Sequence, residues 1–429
     1  MPLTRPIIAA VLASLCSTAL LAAEQAQPLP QPLTLADALN HAHTSPLESL
    51  AEAGRDAAQA QLLSAESISG TRLTASATAR AVEPSYVSPD RDSNDSRASL
   101  SLSRRLYDFG YSDALEDAAR SALVGSEHGQ LHARQQAQLQ IMRAFYDVLL
   151  ADLEFARDNE LMSVAFIRAD RARDRNEIGQ MSDVDMLEAE ADYQEVRRQR
   201  FASETRQLLS RSRLALAMGR PNDLASDLVM PVLALPEPQA LNFEDFWQQV
   251  LAGSPELLAL RAGRDAARDK IEAARNAHGP VLSGEIDASV YNRSTASTHP
   301  VGVGLRLEVP LLTGGAGDAA VAEALAASRH AEAELRAAEL RLRQQALELW
   351  MGRNDIRADV QAFEAQADFR DLYLDRSRAL YELELRTDLG DAMARTSEVR
   401  LKHAGALFEW AMTEARLKAM TGSLLEETP

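Results

Sequence analysis

Residues 301–320 read VGVGLRLEVPLLTGGAGDAA. Val301, Val303, Leu305, Leu307 and Val309 are apolar, and Gly302, Gly304, Arg306 and Glu308 lie between them. That period of two is the mark of a β-strand with one apolar face. Pro310 cannot donate to a ladder, and Gly314-Gly315 marks a turn. Beyond it no proline appears from Asp318 to Leu385, and the apolar spacing becomes helical: Leu342, Ala346, Leu349, Ile356, Val360, Phe363 and Ala367. A strand thus feeds through a turn into a helix of roughly 100 Å.

The same unit occurs earlier in the chain. Residues 106–110 align with 311–315, and 214–219 with 417–422. Ser45-Pro46 recurs as Ser254-Pro255, and the string from Ala53 to Ala58 recurs from Ala262 to Ala267, at one offset of 209 (254 − 45 and 262 − 53). Constant spacing and shared order point to an internal duplication. Each half then runs helix, strand pair, very long helix, helix. The first repeat is expected over 24–219, with strands at about 71–81 and 96–106 and a long helix over 112–178. The second is expected over 243–422, with strands at about 281–291 and 300–310 and a long helix over 318–385. The opening helices are expected to run unbroken from Leu35 to Glu66 and from Phe243 to Ala277. The two shorter helices of each half together match one long helix, so stacked end to end they would form its antiparallel partner. Between the repeats, 220–242 holds Pro221, Pro231, Pro236 and Pro238 and reads as an irregular belt at mid-height. Residues 423–429 form a short tail.

All four strand segments alternate. Leu73, Ala75, Ala77 and Ala79 face Thr74, Ser76, Thr78 and Arg80; Ala98, Leu100, Leu102 and Leu106 face a Ser/Arg row; Leu282, Ile286, Ala288 and Val290 face Ser283, Glu285, Asp287 and Ser289. Each is about ten residues long, enough to cross an outer membrane when tilted. Four strands cannot close a barrel, and a membrane tolerates no open sheet edge. Completion by other copies follows, three giving twelve strands.

Composition agrees with export and excludes other classes. The 429-residue chain carries 63 acidic and 45 basic residues, a net charge of −18, which argues against nucleic-acid binding. Arg5 followed by the apolar run from Ile7 to Ala23 reads as a signal peptide over 1–23, which would remove Cys16, the one cysteine. No later segment approaches the roughly 20 apolar residues of a membrane helix.

Three stretches carry a resemblance to a known family. Residues 309–315 (VPLLTGG) resemble the P-L-F-D-G-G strand-to-helix junction of the TolC-type outer-membrane efflux proteins, with Thr313 where that motif has Asp. Residues 106–110 (LYDFG) repeat it in the first half, with Arg105 opposite Pro310. Gly179 to Glu190 is similar to the family's tip turn followed by L-D-V-L-x-A-E. The resemblance spans about Leu35 to Gly422. It implies a mainly helical chain with a membrane β part, forming a homotrimeric channel-tunnel: a 12-stranded barrel in outer-membrane lipid above a periplasmic α-helical barrel. It also implies a periplasmic adaptor and an inner-membrane RND-type or ABC-type transporter as partners, in efflux or type I secretion. It places contacts to adaptor or pump at Gly179, Asp183, Asp185, Arg386 and Gly390, and an acidic constriction at Asp388 and Asp391, which share a face if helical. Asp388 as a helix cap, with Asp391 supporting the first turn, is the other reading of that pair.

No catalytic constellation, cofactor motif or metal-ligand spacing stands out. His128 and His132 have i,i+4 spacing without an acidic third ligand, and read as a solvated helix face. A periplasmic coiled-coil adaptor or scaffold is the alternative; it accounts for the helices and leaves the amphipathic strands without a purpose.

Overall fold

A computed structural model describes residues 29–87, 90–233, 235, 242–293, 299–383 and 389–425. The expected signal segment 1–23, Arg386, Asp388 and the tail end 426–429 lie outside the described residues. The first half comprises α1 (Leu35–Leu39), α2 (Pro46–Glu66), β1 (Thr71–Thr78), β2 (Arg97–Tyr107), α3 (Tyr111–Glu177) and α4 (Asp183–Ala217). The second comprises α5 (Phe243–Gly253), α6 (Pro255–Asn276), β3 (Val281–Tyr291), β4 (Val301–Glu308), α7 (Ala316–Glu382) and α8 (Leu389–Thr421). Helices α3 and α7 have 67 residues each, which at 1.5 Å per residue is about 100 Å.

The opening helices are not continuous as expected. Ser45-Pro46 splits α1 and a 3-10 turn (Asn40–Thr44) from α2, and Ser254-Pro255 splits α5 from α6. Proline lacks the N–H that an ongoing helix needs but suits the first helical position, so each Ser-Pro restarts a helix. Arg134 of α3 pairs with Glu48 just past the first break, and Arg341 of α7 pairs with Glu256 just past the second.

At these breaks the short helices stack end to end. Gly219, at φ +70°, follows α4 and sits against Thr44; a Cβ there would lie 2.3 Å from the Thr44 carbonyl oxygen. Gly422, at φ +84°, follows α8 and sits against Gly253 in the same way. The Thr44 hydroxyl donates to the Met218 carbonyl at 2.7 Å. Each long helix thus has a two-part column beside it. The described part of the proline-rich belt is tied in by Leu33, whose N–H donates to Asp227 O and whose carbonyl accepts from Val229 N–H, both at 2.9 Å. The main core lies at this height: Ile141, Phe145, Tyr146 and Val148 of α3 pack with Leu33, Leu214, Met218, Phe408 and Met412, and the Tyr146 and Phe408 rings stack at 4.5 Å. A smaller cluster joins Trp247, Val250 and Leu257 to Leu335, Leu342 and Ala346 of α7.

The strands form one antiparallel sheet in the order β1-β2-β3-β4, with β2 and β3 joining the halves. Its register gathers the apolar residues on one face: Leu73, Leu102, Ile286 and Val303 stand in one row, and Ala75, Leu100, Ala288 and Val301 in the next. The opposite face carries Arg72, Ser103 and Glu285 and, in the row beyond, Thr74, Ser101 and Asp287. A bulge between Arg105 and Tyr107 breaks the expected alternation at the end of β2, so that Tyr107 opposes Leu282.

Helical columns continue the strands in the same order. α2 and α4 pack on one side of α3, α6 and α8 pack on the other, and α7 packs on α6 and α8. The layer therefore ends in an α2/α4 column below β1 and in α7 below β4. Among the described residues no helix is long and apolar enough to cross a membrane.

Candidate site at the helical tips

The two helical hairpins end far from the sheet, and the sequence-expected site residues that are described, Gly179, Asp183, Asp185, Gly390 and Asp391, lie there. At the α3–α4 tip, Gly179 adopts φ +72°, the left-handed conformation that glycine takes without strain at a helix end. The N–H of Gln180 then donates to Arg175 O at 2.7 Å, closing the last turn. Ser182 caps α4, its hydroxyl accepting from Asp185 N–H at 3.2 Å. Asn176 donates to the Asp183 carboxylate at 2.8 Å. The structure thus brings Gly179, Asp183 and Asp185 into one turn, with both carboxylates at the positive end of the α4 dipole. Ile178, Val184 and Leu187 are exposed around it.

Behind this tip, charge pairs tie α3 to α4. Arg173 reaches Glu190 at 2.8 Å. Gln194 first, and Arg173 after it, hold the Glu190 carboxyl below its usual range by hydrogen bonding the charged form.

The second tip is arranged differently. Arg386 and Asp388 lie outside the described residues, and the described part of α8 opens at Leu389. Gly390 lies against α3, where a Cβ would stand 2.7 Å from Val164 Cγ2. Its lack of a side chain lets α8 close on α3. Asp391 forms an ion pair with Arg168 of α3, and the seam continues where the Ser397 hydroxyl donates to Glu160 at 2.6 Å. The Asp391 carboxyl remains 46% exposed, so it can still meet an ion from solvent. Arg168, Val164 and Glu160 had no signal in the sequence: the first lies 223 residues from its partner, and no motif marks it.

His132 departs from expectation. It is half-buried in a groove with Glu256 and Arg341, because α6 and α7 close over that side of α3. Burial holds its imidazole below the usual range, against the opposing pull of Glu256. Among the described residues no group of three or more His, Cys, Asp or Glu side chains could hold a metal ion.

Comparison with known proteins places this architecture. Residues 246–423 match the family model described as outer membrane efflux protein. The chain is 25% identical over 360 residues to the outer membrane protein TolC of Vibrio cholerae, covering 79% of each protein. It is 25% identical over 250 residues to the alkaline protease secretion protein AprF of Pseudomonas aeruginosa, covering 56% of this chain and 50% of that one. Among solved structures, the CmeC outer membrane channel of Campylobacter jejuni superposes with a TM-score of 0.76 at 15% identity, over 91% of this chain and 86% of that one.

Proposed function

We propose, on the premise that this chain belongs to the outer membrane efflux protein family, that three copies close side by side into one conduit gated and docked at its helical tips. The protein is an outer-membrane channel-tunnel for efflux or secretion. The closure is the part inferred from geometry. One observation carries it: the sheet and the helical layer are open at matching edges. β1 and β4 are the sheet edges, and the α2/α4 column and α7 are the layer edges beneath them. A sheet edge in lipid leaves backbone groups unsatisfied, so β4 of one copy meets β1 of the next.

The helical edges support the same closure. Besides the stripe buried against α6 and α8, α7 carries a second one of Leu340, Leu347, Met351, Phe369 and Leu372, all exposed in the single chain. Leu50, Leu63 and Leu208 are exposed on α2 and α4. Apolar surface of that extent on a rod marks an interface.

At the tips, Asp391, with Asp388 three residues before it, supplies the acidic constriction, and three copies place these carboxylates around one axis. Gly179, Asp183 and Asp185, with exposed Ile178, Val184 and Leu187, form the docking knob for a periplasmic adaptor and an inner-membrane transporter of RND or ABC type. Arg386 and Gly390 serve the second tip, Gly390 by seating α8 on α3. The relatives named above for TolC and alkaline protease secretion support this class of partner. Mass measurement of the detergent-purified protein tests the closure: a trimer is expected, and a monomer that conducts in planar bilayers would overturn it.

A further inference from the structure

One cation interrupts the apolar face of the sheet. Arg104 of β2 stands in the cross-strand row Thr71, Arg104, Gly284, Leu305, next to the row Leu73, Leu102, Ile286, Val303. Rows on one face are about 7 Å apart. Its neighbour Arg105 is held by Asp108 at 3.1 Å. Arg306 is held by Glu285 at 2.9 Å on the opposite face. Arg104 forms no hydrogen bond or ion pair through its side chain with the described residues. It lines a groove of about 430 Å³ with Thr71, Leu102, Ile286, Val303 and Leu305; Glu285 also borders the groove, but its carboxylate is engaged by Arg306. The groove opens over Gly284, which has no side chain to fill it, and Leu106 bounds it within 3.4 Å of where a Cβ would stand.

Assembly does not supply the missing anion. The strand that would close against β1 is β4 of the next copy, and on the apolar face β4 presents Val301, Val303, Leu305 and Leu307. None is acidic. An unpaired guanidinium among apolar side chains is costly, and a long stem relieves the cost only by carrying the head to a polar partner. The row lies at the helix-side end of the sheet, where β1 follows α2, so that partner is at the periplasmic membrane interface. A guanidinium matches a phosphate in bidentate geometry.

We propose that Arg104 and the groove over Gly284 bind a phospholipid of the periplasmic leaflet, its phosphate on the guanidinium and an acyl chain in the groove. This rests on the membrane reading in requiring the apolar face to meet lipid and the helix side of the sheet to be the periplasmic side. Native mass spectrometry of the detergent-purified protein tests it with three probes: phosphatidylglycerol, diacylglycerol with the same chains, and inorganic phosphate as competitor. Phosphatidylglycerol retention in preference to diacylglycerol is expected, undiminished by millimolar phosphate. Arg104→Gln should weaken it at least about ten-fold, with part of the affinity kept in Arg104→Lys. Equal retention by wild type and Arg104→Gln would overturn the site, as would displacement by free phosphate. Should Arg104→Gln not fold, the wild type alone decides, since equal retention of diacylglycerol removes any role for the phosphate. Retention of neither lipid would instead mean that the face does not meet lipid, and the membrane reading would fall with the site.

Discussion

Asp391 and Arg168 show how one ion pair joins the two repeats at the tip. Both side chains are well exposed, 46% and 63%, so the pair contributes at most about 1 kcal/mol to stability. Its value is positional: it ties α8 to α3 at the tip where the constriction is proposed. Arg168→Glu is expected to leave the melting temperature nearly unchanged and to raise the resting conductance in planar bilayers, because two carboxylates then push the helices apart. The exchange Arg168→Glu with Asp391→Arg should return conductance to the wild-type level. A single variant with unaltered conductance would show that the pair does not hold the tip. His132 gives a pH dependence at the same scale. Its folded pKa lies below the ordinary 6.5, so the unfolded chain binds the proton more readily. The stability it contributes is present above pH 6.5 and is lost as pH falls through that value toward the folded pKa. Melting curves at pH 7.5 and 5.5 should therefore differ less in His132→Gln than in the wild type, and an equal difference would clear His132 of the effect.

The columns beside α3 and α7 are each assembled from pieces, and the joints depend on glycine. Gly219→Ala adds a Cβ 2.3 Å from the Thr44 carbonyl at a φ of +70°. Neither the backbone conformation nor the space accepts it. A loss of about 2 kcal/mol or more is expected, visible as a lowered thermal transition. Gly54→Ala is the matching control. Nothing lies within 4 Å of its added Cβ inside α2, so a gain of about 0.5–1 kcal/mol follows from helix propensity. Equal melting points for the two variants would mean that the joint is not tightly stacked. Both joints follow from features visible in the chain, the repeated Ser-Pro and the repeated glycine, yet their meaning was not. Pro46 and Pro255 suit the first turn of a helix, and spacing alone did not show that another helix ends directly before each.

Across the whole molecule, an isolated chain leaves two kinds of apolar surface uncovered: one face of the sheet and the lateral stripes on α7 and α2/α4. In the proposed trimer, lipid would cover the first and neighbouring copies the second. Leu372 is 72% exposed in the single chain, so Leu372→Glu should leave its helix content by circular dichroism intact. In the trimer it places a carboxylate in an apolar seam, and the trimer should dissociate at lower detergent or at lower temperature. Unchanged trimer stability would place that stripe outside the seam.

The sequence by itself determined the strands, the long helices and their order, but not the splitting of the opening helices at Ser45-Pro46 and Ser254-Pro255. Periods of two and of 3.6 are local properties of the chain, and 67-residue helices free of proline leave little choice of shape. It also determined the sidedness of the sheet, because alternation survives pairing whenever the register is even, as the rows from Leu73 to Val303 show. Tertiary structure decided which residues meet. Asp391 found Arg168, Gly390 found Val164, and the Arg104 side chain was left without a hydrogen-bond or ion-pair partner among the described residues. Such pairings depend on the azimuth and height at which distant helices and strands dock, and no local period encodes either.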